Sequence, residues 1–286
     1  MKLTPKNIAY LVANAYALKV AHGRQPKPVF LHIPKCAGSS ITSRLQQEYG
    51  PRACWGNFSV HERYDDLLTH SHRLQRYRSY SGHFGPDFVD ALEVPLFFFT
   101  FLRYPAARVV SVYNYICMLK PVGRKKLLIE QVQKMDFEAF LQSHVPEILK
   151  GIHNTMTWQL AFGYHHREVL SGIDETELLE RAKATLERMD FIGFYENLEE
   201  DFRRLQERLG IRILPLPGKN ITPDSYKQSV QEQLRSNRRS ARQLQNRTIF
   251  SMGLFCRVEC DFPRKHIHLL RKKMLYSYKQ IESLSH

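Results

Sequence analysis

Val29-Phe-Leu-His-Ile-Pro-Lys-Cys-Ala-Gly-Ser-Ser-Ile-Thr-Ser-Arg-Leu45 is the stretch that decides the fold. Val29 to Ile33 is an apolar, partly β-branched run of strand length. Pro34 closes it, because proline has no N–H to give to a sheet ladder. Lys35 to Gly38 make a short polar turn. Ser39 and Ser40 then fit an N-cap, and Ile41, Leu45 and Tyr49 begin a helical period that Gly50-Pro51 stops. The segment therefore predicts strand, tight loop, helix. Loop N–H groups and the helix dipole make such a junction an anion site. Lys35 adds a mobile positive charge, and Ser39 and Ser40 add hydroxyl donors. The chemistry indicated is binding of a phosphate or phosphosulfate. The spacing is not that of a Walker A loop, since here the lysine precedes the glycine.

A second unit of the same kind follows. Leu96 to Leu102, LFFFTFL, is a continuous apolar run that fits a strand buried on both faces of a parallel sheet. Arg103-Tyr104-Pro105 stands at its carboxyl end, and Ala106 to Leu119 has helical spacing through Val109, Val112, Tyr113 and Ile116. Ligands of open α/β sheets collect at the carboxyl ends of strands, so both loops are expected to face one crevice. Ser79 to Gly82 reads as a short strand running into a turn bracketed by Gly82 and Gly85, with His83 inside it. Phe191 to Phe194 is another strand, and Ile211 to Leu216 an expected edge strand. Helices are expected over Ile8 to Leu18, Phe137 to Leu149, Asn154 to Phe162, Glu175 to Arg188 and Leu198 to Leu209, the last closed by Gly210. A strongly basic helix is expected over 263–283. Residues 51–80 read as loop with one short helix near Tyr64 to Thr69, and Pro121 to Lys126 as a basic loop. The expected fold is α/β: one domain over 1–286 with a central parallel sheet flanked by helices, like the P-loop kinase architecture. Its core spans about 28–222, with a basic helical region over 223–286.

Hydrophobic residues make up 43% of the 286, enough for a sizeable core and too many for a disordered chain. The net charge of +14 favours anionic partners: nucleotides, acidic glycans, nucleic acid or an anionic membrane surface. The five cysteines form no CxxC pair and no zinc spacing. A scattered odd set suits a reducing cytosol, so the expected location is cytoplasmic, with a Golgi-lumen or secreted domain as the alternative. No apolar run reaches the ~20 residues of a membrane helix, so no transmembrane segment is expected.

The first loop resembles the HxPKxxGxS/T loop of sulfotransferases that use 3′-phosphoadenosine 5′-phosphosulfate (PAPS), and most of all carbohydrate enzymes such as heparan sulfate 2-O- and 6-O-sulfotransferases. Arg103-Tyr-Pro-Ala-Ala-Arg-Val-Val-Ser111 resembles the RDPxxRxxS stretch that holds the nucleotide 3′-phosphate in that family, with Tyr104 in place of the aspartate. The likeness spans most of 28–222. It implies that Lys35, Cys36, Ala37, Gly38, Ser39 and Ser40 hold the 5′-phosphosulfate, with Lys35 also catalytic, and that Arg103 and Ser111 hold the 3′-phosphate. Arg108 stands either with them or as a solvated helix charge. His83 matches a Gly-His element that supplies the catalytic histidine, and an imidazole suits removal of a hydroxyl proton near neutral pH. His32 alternates within the first strand as a packed histidine would, and His61 and Glu62 are reserve bases. Asn154-Thr-Met-Thr-Trp158-Gln159 resembles a helix lining the acceptor cleft, which implies acceptor contacts for Asn154 and Trp158 unless Trp158 is core. Lys219-Asn220 fits a late loop that closes over the nucleotide.

The resulting expectation is PAPS-dependent transfer of a sulfuryl group to a hydroxyl of a carbohydrate, possibly anionic, acceptor. No metal is required and no carboxylate cluster for Mg²⁺ stands out. Nucleic acid is not an expected partner, since no RNA- or DNA-binding motif is present. Oligomeric state is open. Two rivals stand beside this reading: a nucleotide phosphotransferase of the same architecture, which would need a Walker lysine and a Mg²⁺ carboxylate, and a non-catalytic basic protein binding glycan or nucleic acid.

Overall fold

In the computed structural model, which describes residues 25–57, 71–163, 173–218 and 244–248, five strands form one all-parallel sheet. They are β1 (Lys27–Leu31), β2 (Cys54–Asn57), β3 (Ser79–Gly82), β4 (Leu96–Leu102) and β5 (Phe191–Phe194), in the order β2-β3-β1-β4-β5. β1 lies at the centre, with Val29 opposite Tyr80 on one side and Phe98 on the other. The chain winds from β1 towards β3 in one direction and towards β4 in the other. The carboxyl ends of these three strands therefore flank the point where ligands of such sheets bind. This is the expected α/β architecture.

β1, β3, β4 and β5 are buried on both faces, and alternation sorts their side chains between two cores. Phe30, Phe99, Phe101 and Phe191 pack with Ile41 and Leu45 of α1 (Gly38–Tyr49) and with Phe202, Leu205 and Leu209 of α9 (Leu198–Leu209). Val29, Leu31, Tyr80, Phe98 and Leu102 face the opposite layer. That layer holds α2 (Pro86–Asp90), α3 (Pro105–Met118), α4 (Lys126–Gln133), α5 (Phe137–Gln142), α6 (Pro146–Ile152), α7 (Thr155–Phe162) and α8 (Glu175–Glu187). The unbroken apolar run of β4 is the signature of this two-sided burial.

Several elements depart from the expectation. β2 was expected to be loop: Cys-Trp-Gly-Asn is short and half made of poor strand formers, and it exists because β3 offers it a parallel partner. Ile211 to Leu216 joins no strand among the described residues; Ile213 and Leu214 are exposed, and the Leu214 N–H bonds the Gln206 side chain at 2.9 Å. The expected helix from Phe137 to Leu149 is two helices. Pro146 lacks the N–H that would continue the first, and it pushes Val145 out of the helical region. The basic loop at Pro121 shortens to a 3₁₀ turn, Gly123–Lys125, leading into α4. Residues 244–248 are helical. Leu244 is buried in the core, and the Arg247 guanidinium binds the carbonyls of Leu141 and Ser143 at the end of α5. The expected helices at Ile8 to Leu18, at Tyr64 to Thr69 and over 263–283 lie outside the described residues.

Candidate active site

The β1–α1 loop is held in an unusual backbone conformation. Lys35 has φ 70° and Ala37 φ 63°, both left-handed without glycine. Such residues cost about 1–2 kcal/mol each, so the surrounding structure must impose them. Ala37, not Ser39 or Ser40, is the N-cap of α1, and no side chain caps it. The two serines sit in the first helical turn, half-buried. Cys36 spends its N–H on Ile33 at 3.3 Å, whereas among the described residues none accepts from the N–H of Lys35, Ala37 or Gly38. Gly38 is required by its neighbour: a Cβ there would lie 1.7 Å from the His32 ring.

Arg103 leaves the end of β4 and reaches this loop. Its Nη1 donates to the Lys35 carbonyl at 3.2 Å, and its guanidinium lies over the Tyr195 ring at 4.0 Å. Its Nε is buried with no acceptor among the described residues. The Lys35 ammonium lies 3.9 Å from the Tyr115 ring centre. Burial, with the positive charge of Arg103 next in weight, lowers the Lys35 pKa to about 8. Two cations brought together, one with an idle buried donor, suit an anion. Ser111 precedes Tyr115 by one turn of α3, on the stripe that faces Lys35. The structure thus assembles Lys35, Arg103 and the face carrying Ser111.

Three nearby residues take their roles from the interior. The Cys36 side chain is wholly buried, burial pushes its thiol up to about 12, and its N–H is spent on Ile33, so its side chain belongs to the core. Arg108 is buried rather than solvated; it donates to the Gly151 carbonyl at 2.7 Å and ties α3 to α6. Tyr104, where the resembled motif has aspartate, is also buried, and its N–H is taken by Glu196 Oε1 at 2.8 Å. A carboxylate from the turn after β5 therefore anchors the Arg103 turn. Burial raises the Glu196 pKa. Glu196 stands in the stretch Asp190 to Glu199, which resembles the family's structural strand-to-helix junction; its partner, 92 residues away, is not legible in sequence order.

His83 follows β3, at the end of the strand beside β1. Its Nδ1 lies 2.7 Å from the His32 carbonyl, and a carbonyl only accepts, so Nδ1 carries the hydrogen. Nε2 then holds the lone pair. Burial, opposed by that hydrogen bond and aided by the Lys125 charge, lowers the His83 pKa to about 4, so the ring is neutral at physiological pH. That charge comes from the exposed basic turn Gly123–Lys125. His32 is the packed histidine the alternation suggested: its ring lies between Phe30 and His83, at 5.5 and 4.6 Å, and burial holds its pKa well below the ordinary value.

Asn154 is the left-handed N-cap of α7 and is buried, its N–H bonded to the Arg247 carbonyl at 2.9 Å. Trp158 is half-buried against Phe162, 5.8 Å away, as part of the packing. Gln159, next to it, is buried and donates to the His32 carbonyl at 2.8 Å. Lys219, Asn220, His61 and Glu62 lie outside the described residues.

The model of the sulfotransferase family matches residues 24–278 of this chain. The chain belongs to the sulfotransferase family. An uncharacterized protein of Archaeoglobus fulgidus is 23% identical to this sulfotransferase over 185 residues, covering 62% of the chain and 70% of the relative. The family model's span includes both strand-loop-helix units, His83 and α7, and it extends through residues 244–248. Family membership gives the cationic crevice its chemical sense, since sulfuryl donors and their products are anions.

Proposed function

We propose that this sulfotransferase transfers a sulfuryl group from PAPS to a hydroxyl of a carbohydrate acceptor. The observation that carries the proposal is the convergence of Lys35 and Arg103 on one side of the β1 end, with neutral His83 on the other. PAPS supplies the sulfuryl group. Lys35, with the N–H groups of Ala37 and Gly38 and the hydroxyls of Ser39 and Ser40, holds the 5′-phosphosulfate, and the Lys35 ammonium offsets charge developing on the departing phosphate oxygen. Arg103 and Ser111 hold the 3′-phosphate. Nε2 of His83 takes the proton of the acceptor hydroxyl as the oxygen attacks. Asn154 and Trp158 belong to the acceptor side through α7, and Lys219-Asn220 would close over the nucleotide. The basic turn beside His83 favours an anionic glycan.

The test is turnover of sulfur-labelled PAPS against a panel of polysaccharide, glycolipid and small-alcohol acceptors. Label should move to a carbohydrate hydroxyl. Binding is checked separately: 3′-phosphoadenosine 5′-phosphate should raise the melting temperature more than ATP, which lacks the 3′-phosphate. Equal stabilisation by the two nucleotides would remove the assignment of Arg103 and Ser111, and absence of label transfer to any carbohydrate would remove the acceptor class.

A further inference from the structure

We propose that Gln159 is a positioning residue for His83, setting through the shared His32 carbonyl which imidazole nitrogen carries the proton. The inference rests on the reading of His83 as the base. The ladder of β1 ends at Leu31, and the His32 N–H still reaches the Gly82 carbonyl at 2.8 Å. The His32 carbonyl is left for side chains. It accepts from Gln159 Nε2 at 2.8 Å and from His83 Nδ1 at 2.7 Å. A carbonyl oxygen has two lone pairs, so these two donors complete it. Gln159 is fully buried and comes from α7, 127 residues away in sequence.

The same helix also fixes the backbone that carries the histidine. A Cβ added to Gly85 would lie 2.7 Å from both the Gly163 nitrogen and the Phe162 carbonyl carbon, so the His83 turn rests directly on the end of α7. Gln159 holds the peptide plane of the His32 carbonyl and occupies one of its lone pairs. The other is then aimed at Nδ1, which keeps Nε2 unprotonated and facing the acceptor side. Without that donor the carbonyl can turn and the imidazole can exchange its tautomer. Among the described residues, the charged or titratable groups around this ring are His32, Lys125 and, acting on His32, Lys35.

The experiment uses the whole chain with ¹⁵N-labelled histidine. Long-range ¹H–¹⁵N spectra report the tautomer, and the His83 signals are those lost in His83→Asn. In the parent at pH 7, His83 should be protonated at Nδ1 alone. Gln159→Leu should show a mixture of tautomers. Gln159→Met, close in shape and without any donor, should do the same, and it carries the test should the leucine variant fail to fold. In folded variants kcat should fall by about tenfold or more, as misplaced groups do, and the acid limb of kcat/KM should move. Affinity for 3′-phosphoadenosine 5′-phosphate should be unchanged. A His83 that stays wholly Nδ1-protonated in folded Gln159→Met overturns the proposal. The tautomer is read without donor or acceptor. A chain that never transfers sulfuryl groups therefore overturns the proposed function and leaves this test valid, and an unmoved tautomer does the reverse.

Discussion

The pKa values of two residues make the candidate chemistry measurable. His83 titrates near 4 because burial disfavours its cation. Its base form is thus present from about pH 5 upward, and the acid limb of kcat/KM should lie near 4 rather than at the ordinary histidine value of about 6.5. The limb of kcat should lie higher, since bound phosphates favour the imidazolium. His83→Ala should lower kcat by roughly 10²–10⁴ with nucleotide affinity unchanged, read by steady-state kinetics beside calorimetric binding. Normal kcat in a folded His83→Ala protein would place the base elsewhere. Lys35 titrates near 8, the cation being the form below that value. A bound anion raises this pKa, so nucleotide binding at pH 8 should take up a proton. Calorimetry in two buffers of different ionisation enthalpy reads that uptake. Lys35→Arg, charged throughout, should abolish it, and uptake persisting in Lys35→Arg would assign the proton to another group.

At the scale of elements, the site is made where strands end. The turns after β4 and β5 are joined by Glu196, whose carboxylate takes the Tyr104 N–H. Glu196→Gln keeps an acceptor there and should cost little. Glu196→Ala leaves a buried N–H unpaired and should destabilise by about 1–3 kcal/mol. It should also loosen Arg103 and weaken binding of 3′-phosphoadenosine 5′-phosphate more than it affects the acceptor KM. Urea unfolding and nucleotide titration of the two variants together check this; equal stability of alanine and glutamine variants would show the anchor to be idle. The broken helix at Pro146 belongs to the same scale. Phe137, Phe140 and Ile148 keep apolar spacing across the break, so periodicity alone ran the two helices together, although the proline was there to be read.

Over the whole molecule the excess of positive charge has a local expression. Arg124, Lys125 and Lys126 are exposed, and the Lys125 charge reaches His83. Neutralising the three should raise the KM for an anionic acceptor and flatten its dependence on salt. Lys125→Ala alone should also move the acid limb of kcat/KM upward, since one of the influences that lower the His83 pKa is gone. A KM indifferent to both mutation and salt would leave the cluster as solubilising surface.

Local order along the chain sufficed for the two strand-loop-helix units, because apolar runs, Pro34 and the glycines state their conformations within a few residues. It sufficed too for the parallel sheet, since LFFFTFL needs cover on both faces. Lys35, Arg103 and His83 were legible as residue types in a motif. What they touch was not, because hydrogen-bond partners are chosen by tertiary packing across long stretches of chain. Glu196 beside Tyr104, Gln159 on the His32 carbonyl and Arg108 on Gly151 join residues between 43 and 127 positions apart. Burial was decided there as well. It placed the Cys36 side chain in the core, made Arg108, open between ligand contact and helix charge, a tie between helices, and made His83 a histidine neutral well below its ordinary range. The sequence names the groups, but only the folded interior sets how much water each one loses, and that loss determines its charge and its chemistry.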